Sequence, residues 1–446
     1  MCMNIGELPQ DVLLELAKQL NVRDLLSFLS VRFDSCVELR IPRISQVPKI
    51  CRVIRELQFQ RSLWLEALSR IREIELQPLP LSTPDSLDTL SLRELQTVAR
   101  RADRLRRNLQ SENPRPAHIR SLPARGRIFV VPGAHPAVAH GPGFATCWDI
   151  VSAQMVGRLE IPHLVVRSGA LCMDIAGKAL VGASISGRPD MNLAVICIDF
   201  RDRAHISVSH VISPTIPQYS RPSSFFINSC LVGFLDDPVI VSWCMDADAA
   251  VQVAPQLAKS SFRAECLPLG RSLYILPWVP GSTSDGEVEV IPHPASDRQR
   301  TDTPPTSGGS SFALQYPYKE MAHIAHDHTF LHFRPGRVIH GDLELRQGCV
   351  YEHHQPIFRL AVGSSGTYVL LLIGSQHRER FLGLVHFEET PVPHTTFRKL
   401  DVGDVSLHLC DQIALDDALG LVLLVNLEGE TTVLSSFGRS TRRRSD

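Results

Sequence analysis

Three observations in the sequence predict an α plus all-β multidomain fold. Apolar residues recur at helical spacing up to about residue 110. The rhythm stops near residue 118, and short β-type runs bounded by Gly, Pro, Asn or Asp then fill the chain. Most of the 31 prolines fall after residue 113, which favours many short elements joined by turns. A length of 446 residues makes two or more domains the default, and 44% apolar content is enough for packed cores.

Charge is nearly balanced, with 46 Lys+Arg against 47 Asp+Glu, so a uniform electrostatic grip on nucleic acid or an anionic membrane is not indicated. The 11 cysteines are dispersed, with no CxxC pair. The start, MCMNIGELPQD, turns acidic and polar before any apolar run, so no secretory signal is expected. Reduced thiols in a cytoplasmic or nuclear protein are the natural reading. The longest apolar runs, such as 368–373, have strand length and do not reach bilayer-spanning length. Neither nucleic acid nor membrane is expected as a partner.

Leu8-Pro9 followed by Asp11 opens a helix: proline at a helix start loses no needed donor, and an acid in the first turn suits the dipole. Leu13, Leu16 and Leu20 recur at helical spacing, with Val12 beside them. Asn21, with Asp24 three residues on, caps a second helix through Leu25, Leu26 and Leu29. Further on, Val53, Leu57, Leu63, Trp64, Leu68 and Ile71 continue the habit. Taken alone, these positions describe a small helical bundle with a leucine core.

The order of residue types says more. Leu8-Pro9, then Val12-Leu13 with Leu16, then Asp24 with Leu25, Leu26 and Leu29, then Val31 completed by Cys51-Arg52, then Leu63-Trp64, resembles the F-box family. That family plugs substrate receptors into Skp–cullin ubiquitin ligases. The resemblance implies an F-box domain over residues 1–72. One face of its helices would pack on itself, while the Leu-Pro turn and neighbouring apolar positions would dock on a Skp-type adaptor and through it a cullin. Leu8 and Pro9 are the leading candidates for contact, and Trp64 for a partly structural role.

Residues 32–50 interrupt the motif. Removing them joins Val31 to Cys51 and yields SVCRVIREL, the family pattern without a gap. Pro42 and Pro48 prevent the insert from extending either helix. It reads as a surface loop, tolerable because closure entropy grows slowly with length, or as an unspliced intron. The second is favoured because deletion restores the motif to the residue. If retained, the insert separates the two halves of the adaptor-binding pattern.

Residues 73–113 read as a linker. Pro78, Pro80 and Pro84 mark turns, and Ser91 with Glu94 is a capping-box signature. Leu92, Leu95, Val98, Ala102, Leu105 and Leu109 form an apolar stripe opposite Arg100, Arg101, Arg104, Arg106 and Arg107. The arginines are an RNA or phosphate patch or a solvated face. The absence of interleaved aromatics favours the solvated face, hence a helical spacer.

From residue 114 to 437, β-type runs fall at 127–131, 155–161, 193–200, 239–243, 368–373 and 419–426. In FATCWDIVSAQMVGRLEI a strand ends in Trp148-Asp149, a short turn follows, and a second apolar strand begins. This is how the third and fourth strands of a β-propeller blade read. The arrangement returns at Ile198-Asp199 and near Phe387. About 320 residues divided by roughly 40–50 per blade gives about seven degenerate blades. A pair of all-β sandwiches would account for the same strands. The combination resembles fungal F-box proteins with divergent WD-like C-terminal halves. The stretch from Leu415 to Ser435 fits a final blade, residues 303–311 a polar loop, and 438–446 a basic, disordered tail.

Catalytic and metal signatures are sparse. His323, His326, His328 and His332 cluster in HIAHDHTFLH, but no thiol or further ligand pair completes a zinc set. GASISG at 182–187 only looks like a nucleophile elbow, and there is no phosphate-binding glycine loop. Adjacent acids such as Asp416-Asp417 read as solvated turns. Arg158, Arg188, Arg201 and Arg203 would form a phosphate pocket only if they converge. No cofactor, no metal and no intrinsic catalysis are expected. The resulting expectation is a non-catalytic substrate receptor for an unknown target protein. The alternative is a propeller scaffold uncoupled from ubiquitination by its interrupted F-box. A third reading is an enzyme using the propeller channel, with zinc on His326 and His328.

Overall fold

Pro9 sets the start of the first helix, accepting the first backbone bond from Leu13 N at 3.1 Å. The computed structural model describes residues 9–29, 56–73, 79, 87–131, 136–162, 170–174, 178–186, 190–200, 206–214, 216–217, 223–227, 231–236, 239–245, 248–253, 263–269, 272–278, 289–292, 322–326, 329–339, 342–363, 367–374, 379–388 and 394–435. Its helices are α1 (Gln10–Lys18), α2 (Val22–Leu29), α3 (Arg61–Glu73) and α4 (Leu92–Leu109). Asn21 caps α2 as its sequence suggests: its Oδ1 accepts from Asp24 N at 2.9 Å, and its Nδ2 donates to the Asp24 carboxylate at 2.7 Å. Leu13, Ala17, Leu25, Leu57, Leu63, Trp64, Leu68, Leu95 and Ala99 share one core, so all four helices pack together. The Arg61 guanidinium stitches α3 to the following turn by donating to the carbonyls of Leu87 and Leu90.

After α4 the structure is antiparallel sheet. Strand β1 (His118–Arg125) leads into a sheet of β2 (Arg127–Val130), β3 (Pro136–Gly141), β4 (Phe144–Asp149) and β5 (Gln154–Glu160). The next sheet has β6 (Ala170–Asp174), β7 (Lys178–Ser186) and β8 (Asp190–Asp199), with β9 (Ser207–Ile212) and β10 (Ile216–Pro217) sharing the outer edge of β8. Then come β11 (Ser223–Ile227), β12 (Leu231–Asp236), β13 (Val239–Cys244) and β14 (Ala249–Val253). Two three-stranded sheets follow: β15 (Arg263–Leu269), β16 (Ser272–Trp278) and β17 (Glu289–Pro292), then β18 (Ala322–His326), β19 (Thr329–Ile339) and β20 (Asp342–Glu352). A four-stranded sheet of β21 (Ile357–Val362), β22 (Tyr368–Ile373), β23 (Phe381–Glu388) and β24 (His394–Leu400) precedes the last one. There β25 (Cys410–Asp416), β26 (Leu421–Asn426) and β27 (Glu430–Ser435) accept β1 as their fourth strand, with His118 opposite Ser435.

Each sheet is thus built from chain-consecutive strands, and the last one borrows the first strand of the region. First strands pack side by side: β25 on β2, β6 on β11, β11 on β15, β18 on β21 and β21 on β25. This is a β-propeller closed by its own N-terminal strand. Facing sandwich sheets would not produce such an order. The expected strand runs are all present, and Trp148-Asp149, Ile198-Asp199 and Phe387 each lie at the end of a third strand. The expected number of about seven blades is corrected to five. Five sheets carry four strands or more, and the other two carry three each among the described residues. Division by a repeat length counts residues, not strands, and so credits the stretches of β15–β17 and β18–β20 with full four-stranded blades.

Successive blades bury both faces of their strands. In β22 the side chains alternate between two cores: Tyr368, Leu370 and Leu372 pack toward Leu415 and Leu424, and Val369, Leu371 and Ile373 toward Val385 and Phe387. Polar clasps close the seams at the starts of the inner strands. Arg380 Nη1 donates to Cys410 O at 2.8 Å, and Arg359 pairs with Asp411 at 2.7 Å, both guanidinia lying 4.2 Å from the Phe358 ring. On the next seam the Gln412 side-chain amide donates to Ile128 O at 2.7 Å and accepts from Ile128 N at 3.1 Å.

Candidate interaction surfaces

Helix α1 divides its apolar residues between two faces. Leu13 and Ala17 are buried, whereas Val12 is 38% and Leu16 52% exposed. Val12 and Leu16 are four residues apart, one turn above each other, and Pro9 continues the same row, also exposed. An apolar row facing solvent does not contribute to the fold; it is a surface that a partner can cover.

The structure sorts the positions picked out by sequence order. Leu13, Leu25, Leu63 and Trp64 are interior, Trp64 at 1% exposure with its Nε1 donating to Gln58 O at 2.8 Å. Trp64 is therefore fully structural. Leu26 and Leu29 are partly buried against the same core. Pro9, Val12 and Leu16 face outward. Leu8, Val31 and Cys51, with the insert 32–50, lie outside the described residues. Phe59, 64% exposed just before α3, is an outward apolar residue that periodicity did not find, because its neighbours Gln58 and Gln60 break any stripe.

Helix α4 belongs to two cores. The predicted capping box is formed: Ser91 N donates to the Glu94 carboxylate at 2.7 Å, and Glu94 N reaches Ser91 Oγ at 3.4 Å. The Ser91 hydroxyl, which donates to the same carboxylate at 2.7 Å, and then the Ser91 N–H hold the Glu94 carboxyl below its ordinary pKa. Leu95 and Ala99 lie in the helical core; Leu105 and Leu109 lie against Tyr368, Leu415 and Leu424 of the propeller. Where the helix meets the blades, burial pushes the Tyr368 phenol upward, and the Asp417 carboxylate pushes it further. Arg106, Arg398 and Gln110 act in the opposite direction. The ring stacks on His386 at 4.5 Å.

The Asp416-Asp417 pair, expected in a solvated turn, is buried. Asp416 is 0% and Asp417 5% exposed, and Asp416 Oδ1 accepts from Ala418 N at 3.0 Å and Leu419 N at 3.1 Å. Distant segments cover this turn, Gly363 against the Asp417 carboxyl group and Leu105 of α4 against Gly420, and no local sequence pattern reports such a cover.

The blade-signature residues are structural. Trp148 Nε1 donates to Thr146 Oγ1 at 2.9 Å, and Thr146 Oγ1 in turn donates to Ala139 O at 3.1 Å. The Asp149 carboxylate caps the β4–β5 turn, accepting from Val151 N at 2.8 Å and Ser152 Oγ at 2.9 Å. Asp199 ends β8 opposite Lys178 and Ser207.

Other sequence candidates are dispersed. His323 and His326 lie on β18 and His332 on β19, opposite Ala322, while His328 lies outside the described residues. Among the described residues no group of three or more His, Cys, Asp or Glu is placed to hold a metal ion. GASISG runs along β7 as paired strand through Ser186, with no strand-to-helix turn. Arg158 is exposed beside Glu160 at 3.4 Å; Arg188, Arg201 and Arg203 lie outside the described residues. Burial raises the thiol of Cys147 to about 12 and that of Cys410 to about 11, which leaves them protonated and poor nucleophiles. No helix among the described residues is long and apolar enough to cross a membrane.

No family model matches this chain, and no curated protein matches it. Among solved structures it is similar to AztD from Citrobacter koseri, at 10% identity and TM-score 0.36 over 66% of this chain and 77% of that one. It is also similar to the WD40 domain of SCAP from fission yeast, at 8% identity and TM-score 0.35 over 70% of this chain and 84% of that one. A third is Hsv2 of Kluyveromyces lactis, at 8% identity and TM-score 0.33 over 66% and 87%. At these scores the neighbours carry no argument about function. The β-propeller assignment rests on the chain's own strand order.

Proposed function

We propose that this chain is the substrate-recognition subunit of a Skp–cullin–F-box ubiquitin ligase, with α1 docking on a Skp-type adaptor and the propeller holding the target protein. A WD40-type propeller is typically an interaction scaffold, and target tethering needs nothing more. The observation that carries the reading is the outward row Pro9, Val12 and Leu16. It lies at the place where the F-box resemblance puts adaptor contact, while Leu13, Leu25, Leu63 and Trp64 supply the bundle beneath. Helix α4 supports it by joining the docking bundle to the propeller through two cores, which fixes the distance between adaptor and target.

The test is adaptor capture by the full chain, with and without residues 32–50, and with Val12→Asp/Leu16→Asp. Capture by the full chain, lost in the double variant, supports the proposal. No capture by either form sinks it. Capture by the gapless form alone supports the second reading, a propeller scaffold uncoupled from ubiquitination, which the insertion between Val31 and Cys51 favours for this form of the chain.

A further inference from the structure

Helix α4 carries a row of guanidinium groups on the side away from its core stripe. Arg93, Arg100, Arg104 and Arg107 are all exposed. At 3.6 residues per turn they fall within an arc of about 60°, opposite Leu95, Ala102 and Leu109, and extend over about 21 Å of helix. Arg107 is paired with Asp103 one turn away. Arg93, Arg100 and Arg104 make no ion pair among the described residues. Of the acids on this helix, Glu94 is engaged by Ser91 and Asp103 by Arg107, so neither neutralises Arg93, Arg100 or Arg104.

The row is also pre-organised. Both halves of α4 are anchored in separate cores, so a partner need not order the backbone that presents the charges. Complementarity demands an anionic partner, and two features decide its class. The chain as a whole has a formal charge of −1, which gives no long-range attraction for a nucleic acid. The exposed residue flanking the arc is Thr97, and the arc itself carries only arginines, so it offers no aromatic platform for stacking bases. The intervals of seven, four and three residues are those at which acids recur on one face of a helix. We propose that Arg93, Arg100 and Arg104 form a docking ridge for an acidic polypeptide segment whose carboxylates line one helical face, an interaction separate from adaptor docking.

The experiment uses the full chain and its Arg93→Glu/Arg100→Glu/Arg104→Glu variant in anisotropy titrations at about 150 mM salt. The probes are a helical peptide with Glu along one face, the same peptide with Gln, and a single-stranded oligouridine. Binding of the Glu peptide alone is expected, weakened at least about tenfold in the variant. An unchanged melting temperature shows that the variant is folded, since the three side chains are exposed. Tighter binding of the RNA, equal binding by the variant, or no binding of the Glu peptide overturns the proposal. The Val12→Asp/Leu16→Asp variant should bind the Glu peptide normally, which separates this surface from the adaptor site.

Discussion

Leu105 of helix α4 occupies the space that a side chain at Gly420 would need: a Cβ there would stand 2.5 Å from Leu105 Cδ1. Gly420 also has φ +64°, a left-handed conformation that costs little only for glycine. The β25–β26 turn is therefore shaped around the incoming helix. Gly420→Ala is expected to destabilise the protein by about 1–3 kcal/mol through strain and overpacking. Proteolysis should become faster between α4 and β1, and a melt with unchanged midpoint would contradict the shared core.

Val12→Asp/Leu16→Asp is expected to leave the melting temperature within a degree or two of the parent, because exposed substitutions change stability by about 0.5 kcal/mol or less. Leu25→Ala, by contrast, empties a site that is 0% exposed and should cost about 2–5 kcal/mol. Circular dichroism melts of the two variants distinguish the outward row from the interior one.

His140 is 5% exposed, and burial, aided by the Arg127 guanidinium, lowers its pKa from 6.5 to about 4. The fold thus favours the neutral ring, and the unfolded chain binds the proton more readily between these values. Its contribution is complete above the unfolded pKa and is lost as pH falls toward the folded one, on the order of 3 kcal/mol in all. Urea midpoints should decline from about pH 6.5 to about pH 4. His140→Leu should flatten that slope, and an equal slope in the variant would assign it to other groups.

Gln412 tests the seam between the first and last blades. Its amide both donates to and accepts from the Ile128 backbone, and a carboxylate can only accept. Gln412→Glu is expected to cost about 1–3 kcal/mol, the penalty of an unpaired carbonyl facing a partly buried charge. Equilibrium denaturation measures it, with Gln412→Asn as the variant that keeps the chemistry and shortens the reach.

Local pattern carried much of the architecture. The alternation and turn residues around Trp148-Asp149, Ile198-Asp199 and Phe387 were enough to find third and fourth strands, because a strand's period and its turns are local properties. The capping box at Ser91 and Glu94 was legible for the same reason. Contacts between distant segments were not. The turn that buries Asp416 and Asp417 is covered by Gly363 and by Leu105 of α4, and the division of α1 into an inner Leu13 and an outer Leu16 depends on where α3 packs. Both leucines fit the same stripe, so periodicity placed them together, and only the neighbouring helix separates them.

The pairing of β1 with β27 also sets an order of events on the ribosome. His118 is synthesised early but finds its partner Ser435 only when nearly the whole chain has emerged, and Thr431 Oγ1 reaches Ala124 O across 307 residues. The helical bundle can form from local contacts while the last blade waits with an unpaired edge. During that interval the exposed edges of β1 and β27 are open to wrong partners. Nascent chains stalled before Glu430 should therefore depend on chaperones, and release from them should coincide with ring closure.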